Sequence, residues 1–173
     1  LLKQLKDGAQ ERGLVDCVMT FEPHPKEFFS PEQAPPRILN LRDKLAAFAD
    51  IGIDRVVVEH FNSAFARLTP EEFVSEIIVK QLNAKWILIG DDFCYGAKRA
   101  GNFESLKAAG EKYGFEVSSI HTVQEDGERI SSSALRNALA NGDMDQASKL
   151  LGRHYGISGH VIHGQKLGRT LGF

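Results

Sequence analysis

The sequence predicts an α/β protein with a parallel sheet covered by helices on both faces, and three observations carry that expectation. Short apolar stretches rich in β-branched or aromatic residues recur at 15–21, 55–58, 86–89 and 115–121. Longer stretches with apolar residues at helical spacing lie between them, opened by capping residues and closed by glycine. Strands that alternate with helices of this length pair in parallel, because a crossover must carry the chain back to the same end of the sheet.

The elements follow in order. Residues 1–13 place Leu2, Leu5 and Ala9 on one helical face, and Gly13 supplies a stop. Val15 to Phe21 reads as a strand that ends at Pro23 and Pro25, neither of which can donate a ladder hydrogen bond. Asn40 is placed to cap a helix carrying Leu41, Leu45 and Phe48 and closed by Gly52; Arg55 to Val58 then forms a buried strand. Thr69-Pro70-Glu71-Glu72 combines an N-cap, a proline at the first helical position and acids in the first turn, ahead of Phe73, Ile77 and Ile78. Trp86 to Ile89 is the next strand, Phe103 to Tyr113 a helix backed by Gly114, and Phe115 to His121 a further strand. Beyond residue 132 the rhythm changes to two short helices, about 133–140 and 143–151, split by Asn141-Gly142. Tyr155 to Phe173 carries five glycines and alternates like the opening of an antiparallel β unit, which places a domain boundary near residue 152. A series that opens on a helix lacks the first half of a strand-helix-strand unit, so one strand and its loop are expected upstream of Leu1.

The 173 residues carry 21 Lys and Arg against 23 Asp and Glu, a net charge of −2, with 42% hydrophobic and 25% charged residues. That is the composition of a soluble globular protein, and no apolar run approaches the ~18 residues of a membrane span. Without a basic excess there is no electrostatic footprint for a nonspecific grip on nucleic acid. Cys17 and Cys94 lie far apart with no CxxC neighbourhood, so neither a disulfide framework nor a zinc site is expected; reduced thiols and the lack of a signal peptide fit the cytoplasm. No metal site is expected from the histidines either. His160 and His163 are three apart on the expected strand and point to opposite faces, while His24, His60, His121 and His154 are isolated. No G-x-S-x-G elbow or P-loop lysine motif is present.

Open α/β sheets bind ligands beyond the carboxyl ends of their strands, and three loops there stand out. Thr20-Phe21-Glu22-Pro23-His24-Pro25, with Phe28 and Phe29 beyond, joins rigid prolines to aromatics and could form a wall for a flat ring, or simply pack on its own domain. Gly90-Asp91-Asp92-Phe93 to Gly101 mixes acids, bases and glycines; Lys98 and Arg99 could meet phosphate, or the segment is a solvated turn. Arg129-Ile130-Ser131-Ser132-Ser133-Ala134-Leu135-Arg136 sets serines at a helix start, where free amides and the dipole favour an anion, although simple capping explains the serines too. Helix side chains tilt toward the N-terminus, so Arg136 can reach back to that anion.

These three loops, in this order and spacing, resemble the adenylyltransferase module of the bacterial bifunctional riboflavin kinase/FMN adenylyltransferases, and the resemblance covers essentially the whole chain. The tail from Gly159 to Phe173 is similar to the opening of that family's kinase domain. The resemblance implies a Rossmann-like nucleotidylyltransferase fold over residues 1–152, followed by the start of a β-barrel kinase domain at 153–173. It implies transfer of AMP from ATP to FMN, giving FAD and pyrophosphate, with magnesium on the nucleotide, and a parent protein that also phosphorylates riboflavin. By motif, Phe21, Pro23, Pro25 and Phe29 would border the flavin ring, with Asp92 hydrogen-bonding near it. Arg129, Ser131, Ser132, Ser133 and Arg136 would hold the ATP phosphates; Arg129, Ser132 and Arg136 are the catalytic candidates.

The family's H-x-G-H loop would lie upstream of Leu1, after the strand expected there, and its P-T-A-N segment would follow Phe173. Ser133 stands where the family commonly has threonine, and the hydroxyl is kept. These 173 residues alone are expected to be inactive. Two alternatives remain at this point: a relative acting on nicotinamide mononucleotide or a pantetheine phosphate, which the Pro- and Phe-rich loop disfavours, and a noncatalytic flavin or nucleotide binder.

Overall fold

Asp16, 6% exposed, starts the frame of the molecule. Its carboxylate accepts the Asp54 amide at 2.8 Å and its carbonyl accepts the Arg55 amide at 3.2 Å, which brings two strand starts level. From there β1 (Cys17–Glu22) and β2 (Arg55–His60) run in parallel, Cys17 beside Arg55 through Glu22 beside His60. A second parallel pair joins β3 (Trp86–Gly90) to β4 (Glu116–Ile120), from Trp86 beside Glu116 to Gly90 beside Ile120. The computed structural model describes residues 2–90, 92–120, 124–125, 128–129, 131–164 and 166–172, without the side chains of 124–125, 128–129 and 170. His121 and Phe173, to which sequence expectations attach, lie outside the described residues.

The crossovers are the expected helices. α1 (Leu2–Glu11) leads into β1; α2 (Pro25–Phe29) and α3 (Leu41–Ile51) join β1 to β2. Asn40 caps α3 through its side-chain oxygen, which accepts the Asp43 amide at 2.8 Å, and Gly52 ends it in the left-handed region. α4 begins as the helical turn Pro70–Glu72, where Thr69 and Glu72 form a reciprocal capping box, and continues as a π-helix over Phe73–Gln81. The wider winding faces Phe73, Val74, Ile77 and Ile78 inward together, a feature that capping and periodicity do not foretell. α5 (Phe103–Tyr113) joins β3 to β4. After the short antiparallel strands β5 (Gln124–Glu125) and β6 (Glu128–Arg129) come α6 (Ser132–Ala140) and α7 (Met144–Leu151).

The main core gathers Phe73, Val74, Ile77, Ile78, Ile89, Tyr95, Leu106 and Phe115. A smaller one closes between α6 and α7 around Leu135, Ala138 and Ala147, with Ile38 packed against it. The α/β class and the parallel pairing stand, but among the described residues the two pairs are not hydrogen-bonded into one sheet.

The tail departs from expectation. The described residues from 153 to 164 hold no strand, and α8 (Leu167–Leu171) is a short helix, so His160 and His163 do not sit on opposite faces of a strand. The β-barrel start is therefore not formed here. A strand needs a second edge for its amides, and the tail meets a helix end instead. Ser158 donates its amide to Asp43 at 3.1 Å and its hydroxyl to the same carboxylate, while Asn40 donates to the Ser158 carbonyl at 3.0 Å. Ile157, Val161 and Ile162 stay exposed.

Leu106 is 1% exposed at the centre of the main core. Leu106→Ala is expected to lower unfolding free energy by about 2 to 5 kcal/mol, from lost burial plus the cavity left behind. Urea unfolding of the two chains, followed by far-UV circular dichroism, measures the difference.

Candidate functional site

Parallel pairing puts the carboxyl ends of β1 and β3 at loop positions where α/β sheets hold ligands. Beyond β1, His24 caps α2 by accepting the Lys26 amide at Nδ1, 3.2 Å away, and Glu27 returns a bond by accepting the His24 amide at 3.1 Å. Pro25 occupies the first turn of α2, a position that needs no amide donor. The aromatic rings of this loop cluster on Phe61, whose centroid lies 5.6 Å from Phe21, 5.4 Å from Phe28 and 5.7 Å from Phe29. Phe61 is nearly buried, whereas Phe29 is 64% exposed and presents a bare ring.

Arg37 closes the loop from outside. It donates to both carboxylate oxygens of Glu22, at 3.0 and 2.7 Å, and through Nε and Nη2 to both oxygens of Glu27. Its hydrogen bonds hold the Glu27 carboxyl down to about 2, with the bond from the His24 amide adding to the effect. Partial desolvation holds His24 below its ordinary pKa; Lys44, Lys26 and Arg37 add to this and Glu27 opposes it.

Beside this network lies a cavity of about 330 Å³ whose lining includes Glu22, His24 and Glu27 from the first loop, Arg37, Lys44 from α3, and Arg136 from α6. Lys44 donates to the Thr20 hydroxyl at 3.3 Å. Arg136 reaches back one turn, as the tilt of helix side chains requires, and donates to the Ser132 carbonyl at 3.2 Å and to the Pro36 carbonyl at 2.8 Å. Ser131 caps α6 by accepting the Ala134 amide at 3.1 Å, leaving Ser132 and Ser133 exposed in the first turn, where helix amides lack intrahelical acceptors. The first and third loops therefore meet at one cavity. Arg129 lies on β6 beside Gln124, and its side chain, like Ile130, is outside the described residues.

The second loop meets the first elsewhere. A groove of about 820 Å³ runs between β1 and β3, lined by Cys17, Val18, Met19 and Phe21 on one side and by all of Trp86 to Gly90 on the other, with Phe93 at its end. Consecutive residues of β3 line it, so it follows the strand edge rather than one face. Asp92 is exposed beside that end, and Phe93 stacks on Tyr95 at 5.7 Å. The loop is shaped by glycine: a Cβ on Gly96, at φ 70°, would stand 2.7 Å from the Pro70 nitrogen, and one on Gly101 would stand 2.6 Å from the Tyr95 ring. Lys98 and Arg99 are exposed in left-handed backbone and line neither cavity. Asp91 lies outside the described residues.

Sequence reading missed Arg37, Lys44, Phe61 and the pairing of Glu22 with Glu27. The one local signal was Pro35-Pro36-Arg37, a stiff segment too polar to be core. Among the described residues no group of three or more His, Cys, Asp or Glu is placed to hold a metal, and no helix is long and apolar enough to cross a membrane.

Parallel strand pairs with crossover helices, and loops at their carboxyl ends, define a nucleotidyltransferase-like α/β fold. The family model for FAD synthetase matches residues 1–134, and the chain belongs to that family. It is 46% identical over its full length to the bifunctional riboflavin kinase/FMN adenylyltransferase of Escherichia coli K12, of which it covers 55%, and 43% identical to that of Haemophilus influenzae, of which it covers 56%. The chain thus spans about half the length of the curated relatives it matches. The crystal structure of a macrolide-efflux protein from Streptococcus pneumoniae superposes with a TM-score of 0.76 at 30% identity, over 99% of this chain and 55% of that one.

Because the folded-state pKa of Glu27 is lowered, its pairing stabilises the loop above the ordinary carboxylate value of about 4.3. That contribution is lost as pH falls through about 2. Carbon-detected NMR titration is expected to place the Glu27 midpoint near 2. In Arg37→Met the midpoint is expected to return toward about 4.3.

Proposed function

We propose that residues 1–152 form the greater part of an FMN adenylyltransferase domain, in a parent protein that also phosphorylates riboflavin and whose kinase domain begins at 153–173. The observation that carries this reading is one cavity at which Glu22, His24 and Glu27 of the loop after β1 meet Arg136 of α6, with Arg37 and Lys44 beside them, while the phenylalanines of the same loop gather on Phe61 and Ser132 and Ser133 stand exposed at the start of α6. A flat ring and a polyphosphate are the two chemistries such neighbours accommodate. In this reading Phe21, Pro23, Pro25 and Phe29 border the isoalloxazine and Asp92 hydrogen-bonds near it. Ser131, Ser132, Ser133, Arg136 and Arg129 hold the triphosphate, and magnesium enters as the counter-ion of ATP.

The reaction forms a bond between a phosphate oxygen of FMN and the α-phosphorus of ATP, breaks the α–β phosphoanhydride bond and releases pyrophosphate. Attacking and leaving groups are both anions. The protein's work is then to hold them in line and to compensate charge, which oriented amides, serine hydroxyls and guanidinium groups can do. Arg136 fits this role because its engagement with the Ser132 carbonyl keeps its head over the first turn of α6.

The groove between β1 and β3 supports the expected additional strand. A strand borders it on either side, β1 and β3, and Leu2, Leu5 and Ala9 of α1 line it. A parallel strand from the longer parent chain, followed by α1 as its crossover, would join the two pairs into one sheet.

Full-length protein with FMN, ATP and magnesium is expected to yield FAD, detected by chromatography; failure to form FAD would overturn the reading. Ser132→Ala and Arg136→Ala are each expected to raise the KM for ATP roughly 10- to 150-fold, the equivalent of about 1.5 to 3 kcal/mol for a charge-assisted hydrogen bond. Unchanged ATP kinetics in both would sink the phosphate assignment. Hydrogen exchange tests the strand. The β1 and β3 amides are expected to exchange faster in the 173-residue chain than in full-length protein, and equal protection would refute the insertion.

A further inference from the structure

We infer that Arg37 is the positioning residue for the aromatic wall: its guanidinium is taken up by Glu22 and Glu27, and through them it fixes the loop 22–29 relative to α6 and so governs the flavin side of the site. The inference rests on the flavin-facing role of that loop proposed above.

The wall cannot hold itself. α2 has five residues, none of them buried, and a helix this short is not stable alone. Phe28 and Phe29 pack edge-on against each other and against Phe61 but stay 37% and 64% exposed, so ring contacts restrain the far end of the loop only in part. The rest of the restraint is polar. Glu22 ends β1, Glu27 lies in α2, and the Pro23-His24-Pro25 segment runs between them. One guanidinium takes both carboxylates, Glu22 through two bonds and Glu27 through two more. An isolated exposed ion pair would contribute little, but a bidentate guanidinium shared by two carboxylates fixes direction as well as distance.

Arg37 is itself anchored on the opposite side. The carbonyl of Pro36, its neighbour, accepts a hydrogen bond from Arg136 at 2.8 Å. Ile38, its other neighbour, packs against the Leu135, Ala138 and Ala147 cluster between α6 and α7. Three successive residues thus tie the α6–α7 hairpin to the loop after β1. Arg136 and Ser132 belong to α6 itself, whose own core is untouched when the Arg37 side chain is removed. Loss of Arg37 therefore frees the aromatic wall while the anion side keeps its shape.

The test measures FAD formation by full-length protein with Arg37→Met and Arg37→Lys, varying FMN and ATP separately. Arg37→Met is expected to raise the KM for FMN by roughly tenfold or more, the scale of a lost charge-assisted contact, with the KM for ATP changed by less than about twofold. Arg37→Lys is expected to recover only part of the loss, since a single ammonium cannot present a bidentate fork to Glu22 while holding Glu27. Glu27→Gln, a milder change, keeps the test open if Arg37→Met does not fold, and is expected to raise the KM for FMN selectively. An unchanged KM for FMN in folded Arg37→Met, or equal rises for both substrates, overturns the inference. FAD formation by the wild type separates the two ideas: if it is absent, the adenylyltransferase reading itself has failed.

Discussion

Parallel pairing is the constraint on which the rest of this protein depends. A parallel pair cannot be closed by a tight turn, so β1 and β2 must be joined through α2 and α3, and β3 and β4 through α5. Every such crossover leaves the strand at its carboxyl end, and the loops there are free of the ladder. The two buried oxygens of Asp16 level the starts of β1 and β2, and the strands' equal length then carries Glu22 and His60 to the same height. The proline-rich loop is where it is because the strand beneath it ends there.

Those loops obtain their shape by different means. The segment after β3 is formed by steric demand, with Gly96 pressed against Pro70 and Gly101 beneath the Tyr95 ring. The segment after β1 has less burial to rely on and combines the ring contacts on Phe61 with polar restraint, through the capping box of α2 and the Arg37 fork. Steric shaping stiffens a loop without regard to pH, whereas the pairing of Glu27 with Arg37 gives way only in strong acid, because its partner keeps Glu27 ionised down to about 2.

A net charge of −2 says little about the cavity itself. Lys44, Arg37 and Arg136 stand beside Glu22 and Glu27 on one small surface, so the local field is made by placement, not by excess. The carboxylates are taken up by Arg37, which leaves Lys44 and Arg136 as the cationic side chains of the lining not committed to them. The aromatic rings of the loop do not line that cavity; they gather on Phe61, a hub that no single loop contains, and Phe21 faces the groove between β1 and β3.

Local chemistry by itself determined the parallel α/β class, the caps Asn40, Thr69 and Ser131, and element positions to within a few residues. These are legible because hydrogen-bond donors and apolar spacing act within a turn or two. The three loops were visible for the same reason, each being a short run of unusual residues. Tertiary structure alone decided what no short run encodes: the π-winding of α4 over a core drawn from several elements, the separation of the two strand pairs, and the binding of Ser158 to the start of α3 where an alternating tail had suggested a strand. It also decided that Arg37, an arginine between a proline and an isoleucine, would join Glu22 to Glu27 while its neighbours hold α6. Contacts across tens of residues depend on where the sheet puts its loop ends, and only the folded chain computes that.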